Sequence, residues 1–191
     1  MNLPHRVTIL TRSPKQRLAF NAGTAAFTVG EVVTGTTSRA AGTVLVLDLA
    51  SGSWAAGTAA GTLTLYSVTG TFAEDESLSS TIGAATAGGP QVPIKGKLGS
   101  PDYHWSPGTK PVRASFYEKS LYPAIVTPAG ETVRKIRMVM LPVPASPHEQ
   151  RIRTIDVGYE GTYEIAAAAT RKGGNGKPHH YEYELAGVTD S

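Results

Sequence analysis

The 191-residue sequence contains no cysteine. Disulfide staples and thiolate metal sites are therefore excluded, and the composition fits synthesis in a reducing compartment. No apolar run approaches the roughly 20 residues that cross a bilayer as a helix. The opening Met1-Asn2-Leu3-Pro4-His5-Arg6 lacks the apolar centre of a secretory signal, so no membrane partner is expected. Aromatic residues make up only 7% of the chain, and they are not interleaved with cations as base-stacking single-strand binders require. Catalytic signatures are missing too. There is no Gly-x-Ser-x-Gly elbow, and Gly173-Gly174-Asn175-Gly176-Lys177 runs into Pro178 instead of opening a helix as a phosphate-cradling loop does. Neither an enzyme nor a cofactor is expected.

What the chain does have is 40% apolar residues, a globular value, broken into short Val, Ile, Leu and Ala runs by 21 Gly and 13 Pro. That punctuation favours many short strands over long helices. The expected fold is all-β: a small barrel or sandwich body carrying an inserted second β-rich domain. Charge divides the chain in the same way. Residues 21–90 hold one basic residue, Arg39, against five acidic ones, whereas the rest holds 17 basic and 10 acidic. Residues 1–20 and 110–191 are assigned to the basic body, 21–90 to the acidic insertion, and the Pro- and Gly-rich 91–109 to a linker or long loop.

Within 21–90, Phe27–Thr34, Thr43–Leu49 and Thr62–Val68 read as strands. Thr62-Leu63-Thr64-Leu65-Tyr66 shows the period-2 alternation of a half-buried strand. A short internal repeat sets Phe27-Thr28-Val29-Gly30-Glu31 against Phe72-Ala73-Glu74-Asp75-Glu76, each with an acid four residues after a Phe. Duplicated hairpins closing on each other would give a compact barrel. In the C-terminal part, strands are expected at 112–118, 121–127, 132–140, 151–157, 162–168 and 181–185. The basic segment Arg171 to Lys177 is expected as a loop. On the long strand, Ile136, Met138 and Met140 share one face and Val133, Lys135, Arg137 and Val139 the other.

The five histidines lack the spacing of a zinc site, so no metal is expected. Glu74-Asp75-Glu76 does not match a calcium loop and reads as a solvated acidic turn. Lys135, Arg137, Arg151, Arg153, Arg171, Lys172 and Lys177 could form a basic stripe for phosphates, or simply a solvated sheet face with a basic loop. Trp54, Tyr103 and Trp105 are candidate stacking platforms for a sugar.

The two chain ends, with the middle removed, resemble the head-closure (stopper, or head-tail joining) proteins of tailed-bacteriophage necks. The residues that carry the resemblance are Leu3-Pro4-His5-Arg6-Val7-Thr8-Ile9, Val112-Arg113-Ala114-Ser115-Phe116, Gly130-Glu131, Arg151-Ile152, Tyr163-Glu164-Ile165 and the closing strand Tyr181 to Leu185. Phe27 to Gly35 looks like a small β-module found in various phage virion proteins, which compact members of the family lack. The resemblance implies a virion structural protein made in the host cytoplasm. It would form a homo-oligomeric ring, expected as a hexamer, between portal or adaptor and tail terminator or tube. Such a ring retains packaged double-stranded DNA and docks the tail. The seven cations above would then face the DNA channel. A tail-terminator ring and a surface carbohydrate- or receptor-binding β-module are the alternative readings.

Overall fold

The computed structural model describes residues 4–96, 99–127, 130–147, 149–155, 159–172 and 178–188. These form fourteen strands in two compact units, one spanning 13–104 and the other combining 1–12 with 105–191. The chain is all-β, as its composition implies. The inserted unit is larger than the expected 21–90, and residues 91–109 are not a linker. Val92–Pro93 form an edge strand, Lys95 bridges to Pro101, and Tyr103–Pro107 form another strand. Proline is tolerated there because an edge strand leaves N–H positions without a ladder partner.

Strand β1 (His5–Pro14) belongs mainly to the body. The insertion contributes β2 (Gln16–Ala25), β3 (Val32–Gly35), β4 (Ala41–Ser51), β5 (Ala59–Thr69), β6 (Ser77–Ser79), β7 (Ala84–Ala87) and the edge strand β8 (Val92–Pro93). Its sheet runs β5-β4-β3-β6-β7-β2 and closes through β2–β5 pairing, which removes the free edges an open sheet would expose. The expected strand Phe27–Thr34 is strand only from Val32. Residues before it turn, because Gly30 holds φ +90°, a conformation open to glycine at no steric cost.

The sequence repeat is a structural one. With an offset of 45 residues, β2 corresponds to β5 and β3 to β6, and each strand pairs with its own counterpart: Leu18 opposite Leu63, Thr34 opposite Ser79. Thr43 opposite Tyr66 repeats as Thr86 opposite Asn21, with β7 set 43 residues after β4. The turns match as well. Thr28 N–H donates to Glu31 and Ala73 N–H to Glu76. Gly30 and Asp75 occupy the same left-handed position, one that Asp tolerates better than most residues. Leu18, Leu63, Phe27, Phe72, Val33 and Leu78 fill the shared core as three related pairs.

The body contributes β9 (Tyr103–Pro107), β10 (Val112–Thr127), β11 (Gly130–Leu141), β12 (Gln150–Thr154), β13 (Gly161–Lys172) and β14 (Pro178–Val188). The order β10-β11-β14-β13-β12-β1 closes through β1–β10, with β9 added beside β1. The two strands expected at 112–118 and 121–127 are one, interrupted by a register shift between Leu121 and Ile125 that accommodates Pro123. Ala166 to Ala169 lie in β13, extended, with a shift between Ile165 and Ala167. The inward row includes Val7, Phe116, Val139, Ile152, Ile165 and Tyr183.

Candidate functional site

The seven sequence-selected cations do not form one stripe. Lys135 sits opposite Ser120, toward the β10–β11 turn. Arg171 lies opposite His180 and Lys172 opposite Pro178, toward the β13–β14 turn. Strand β11 runs antiparallel to β14, with Arg137 opposite Leu185 and Leu141 opposite Tyr181, so the two turns lie at opposite ends of the barrel. Lys177 lies outside the described residues, as do the side chains of Lys135, Arg171 and Lys172.

Arg137 is on the inward face, two residues before the buried Val139. Its guanidinium donates to Tyr163 Oη and lies 5.2 Å from the Tyr163 ring centroid and 5.4 Å from that of Tyr159. Tyr163 Oη shares its proton between the Tyr159 and Glu160 carbonyl oxygens at 3.0 and 3.2 Å. Tyr159 stacks on Phe116 at 4.7 Å, and His5 packs edge-on to both rings. One end of the barrel is thus closed by an aromatic cluster with an arginine seated on it. Alternation along β11 leaves the choice of inward face open. A narrow barrel end accepts Arg137 because two aromatic faces and a hydroxyl receive the cation.

Arg151 and Arg153 point outward, flanking the inward Ile152. Arg151 lies 4.1 Å over the Trp105 ring and opposite Glu164 across β12–β13, so it is engaged with its own barrel. Arg153 is exposed and opens onto different neighbours. Thr8 is its register partner, Arg6 lies two residues earlier on β1, and Arg113 is directly opposite Arg6 on β10. All three arginines are exposed. Between them Arg6, Val7, Thr8, Pro111, Arg153, Thr154 and Ile155 line an open groove of about 450 Å³. Thr154 Oγ1 donates to the Arg6 carbonyl at 3.4 Å, tying the groove's two sides.

Arg6 and Arg113 were not among the selected residues. Each alternates with an apolar neighbour, in Arg6-Val7 and Arg113-Ala114, so local pattern alone puts both outward. Their adjacency comes from a pairing between chain ends more than a hundred residues apart, which no local pattern reports.

The other sequence candidates are structural. Trp54 stacks on Phe20 at 5.4 Å and meets Phe27 edge-on, packed against the insertion's core. Glu76 is not a solvated turn residue. It is 5% exposed, and its carboxylate accepts from Thr37 N–H, Ser38 N–H, Ser38 Oγ and Ala73 N–H at 2.6 to 3.1 Å. Burial alone would push this carboxyl up. The bonds from Ser38, Ala73 and Thr37 outweigh it and hold the group below its ordinary value. Gly35 is required beside it, since a Cβ there would come within 2.4 Å of the carboxylate. Among the described residues, no group of three His, Asp or Glu side chains is placed to hold a metal ion.

Comparison with family models, curated proteins and solved structures returned no match to this chain.

Proposed function

We propose that this protein is a structural component of a tailed-phage neck, forming a ring between portal or adaptor and tail that retains packaged DNA and docks the tail. One observation carries the reading. The segments that carry the family resemblance, drawn from residues 1–20 and 110–191, lie in the unit formed by 1–12 and 105–191, which closes through β1, pairing with β10 on one side and β12 on the other. The resemblance joins two segments distant in sequence, and their joint closure gives it a physical basis. Self-assembly into a ring asks for a heterologous contact between unlike faces. The barrel has unlike faces: the exposed Arg6 and Arg113 lie on β1 and β10, whereas the half-buried Glu184 lies on β14, the strand across the closed order from β1.

Electron microscopy of the purified chain, with and without portal and tail proteins, tests the reading. Closed rings that bind the portal or tail complex are the expected result. A monomer that stays apart from both, or that gives a saturable titration with a sugar, would overturn it in favour of a surface-binding module.

A further inference from the structure

We propose that the overhanging end of β4, Leu45 to Ala50, is an edge at which two copies of this chain join by antiparallel strand pairing. The inference rests on the inserted barrel alone and is independent of the neck reading.

Strand β3 has four residues and β4 has eleven, so barrel closure covers only the first part of β4. Pairing with β3 runs as far as Val32 opposite Thr43. The preceding turn adds two bonds, Gly30 N–H donating to the Val44 carbonyl and Val44 N–H to the Glu31 carbonyl. From Leu45 on, β4 has a described strand partner on one side only, β5. Register shifts at Val44/Val46 and Leu49/Ser51 bracket the overhang and leave Val46 to Leu49 regular. Val46 and Leu49 are 42% and 47% exposed. The run Leu45-Val46-Leu47-Asp48-Leu49-Ala50 holds one charge and no proline or glycine. Such an edge templates another strand unless charge, proline or a cover blunts it.

The duplication supplies the comparison. Ala87 is the counterpart of Val44. It lies opposite Phe20 as Val44 lies opposite Leu65, and it bonds to Asp75 and Glu76 as Val44 does to Gly30 and Glu31. Pro93 opposite Gln16 then matches Leu49 opposite Gly61. Gly88 to Pro93 hold two glycines and two prolines. Gln91 turns its amide onto Phe72 N–H and the Gly70 carbonyl, both at 2.9 Å. One half's edge is blunted, and its counterpart, among the described residues, is open.

The strand suits a second copy of itself. Antiparallel pairing centred on Leu47 sets Leu45 against Leu49 and Val46 against Asp48 of the second copy. The single acid then meets an apolar side chain, whereas two acids directly opposite would disfavour pairing. So short a strand spans only about 20 Å, and the contact falls in the weak class, with a dissociation constant on the order of 100 µM.

Sedimentation equilibrium of the full chain from about 10 µM to about 1 mM tests the pairing, with hydrogen exchange to locate it. A monomer–dimer equilibrium is expected, with the amides of residues 45–50 exchanging more slowly as concentration rises. Val46 is exposed, so single changes there keep the fold. V46E places an acid opposite Asp48 and should weaken the dimer at least about tenfold. V46K places a cation there and should dimerise at least as tightly as the parent. V46E/D48K restores unlike charges and should recover the dimer. A monomer throughout the range would overturn the proposal. So would equal weakening by V46E and V46K, which marks an apolar contact without register, or protection confined to other strands. Rings formed by the body are scored apart. An isologous pair closes on itself, so V46E should leave rings whole, and rings abolished by V46E would also sink the pairing.

Discussion

The two closed barrels of this chain solve the same problem by different means. The inserted barrel builds each half from the same plan and satisfies its turns with internal carboxylates. The body closes on strands from the two chain ends and seals one end with aromatic rings and an arginine. Their charges differ less than the 21–90 boundary suggested. The insertion, taken as 13–104, holds five basic and six acidic residues, and the body thirteen and nine. What separates the barrels is where charge is placed. In the insertion a carboxylate is buried as a structural node, whereas in the body three arginines gather on an outward face. Buried charge surrounded by donors fixes a fold.

Each barrel contains one tryptophan, Trp54 in the insertion and Trp105 in the body. Single-tryptophan variants therefore report the two unfolding transitions separately. The largest expected effect is Glu76→Ala, which leaves three backbone N–H groups and the Ser38 hydroxyl without their acceptor. A loss of roughly 3–5 kcal/mol is expected in the Trp54 transition in urea, with the Trp105 transition unmoved. Its counterpart Glu31 is partly exposed and accepts only from Thr28 N–H and Ser80 Oγ in the described contacts. Glu31→Ala should cost roughly 1 kcal/mol. Equal losses at the two sites would show that the halves are equivalent in energy as well as in plan.

In the body, Arg137→Ala should lower the Trp105 transition by roughly 2 kcal/mol, through loss of the tyrosine hydrogen bond and the stacking on two rings. An unmoved Trp105 transition would show that the cation is not part of what closes that end of the barrel.

How much of this was legible in the sequence depended on the range of the interaction. Thr62 to Tyr66 announced its strand by alternation, and the Phe-to-Glu spacing announced the duplication, because both are local. Residues 90–111 misled for a tertiary reason. Five prolines there suggested an extended linker, but Pro93 and Pro107 sit on short strands that only pairing with β2 and β1 creates. Arg137 misled because alternation gives two faces and polarity is a poor guide at a barrel's end. The Arg6–Arg113 pair could not be seen at all before β1 and β10 were paired.

Acid should also separate the barrels, more gently. Burial, with the Lys15 charge added, holds His104 below its ordinary value of 6.5. Glu76 is held below 4.5. A depressed His pKa means the unfolded chain takes up its proton first as pH falls, so stability is lost below about 6.5. A depressed carboxyl pKa contributes stability that is present above about 4.5 and lost as pH falls through the folded value. Both groups belong to the 13–104 unit, of which His104, at the start of β9, is the last residue and packs on Tyr66 with ring centroids 4.3 Å apart. The Trp54 transition should therefore weaken in two stages on acidification, and a Glu76→Gln protein should lack the second. A single stage in the parent would remove His104 from the account.

The smallest effect concerns the outer surface of the duplicated halves. Val29, Val32 and Ile82 are exposed at 63%, 54% and 62%, and the 45-residue offset places Glu74, Ser77 and Thr37 at the matching positions. Replacing Val29 with Glu and Ile82 with Thr should move the Trp54 transition by no more than about 0.5 kcal/mol. A larger loss would mean that these side chains support the fold after all.

The two ends of the insertion adjoin. Lys15 N–H donates to the Asp102 carbonyl at 2.8 Å and the two side chains form an ion pair at 2.9 Å, while β1 and β9 run side by side. For a genome, a segment with adjoining ends is a cassette. It can be acquired, exchanged or deleted in one recombination event while the host barrel keeps its closure, so relatives of this chain should differ in cargo far more readily than in frame.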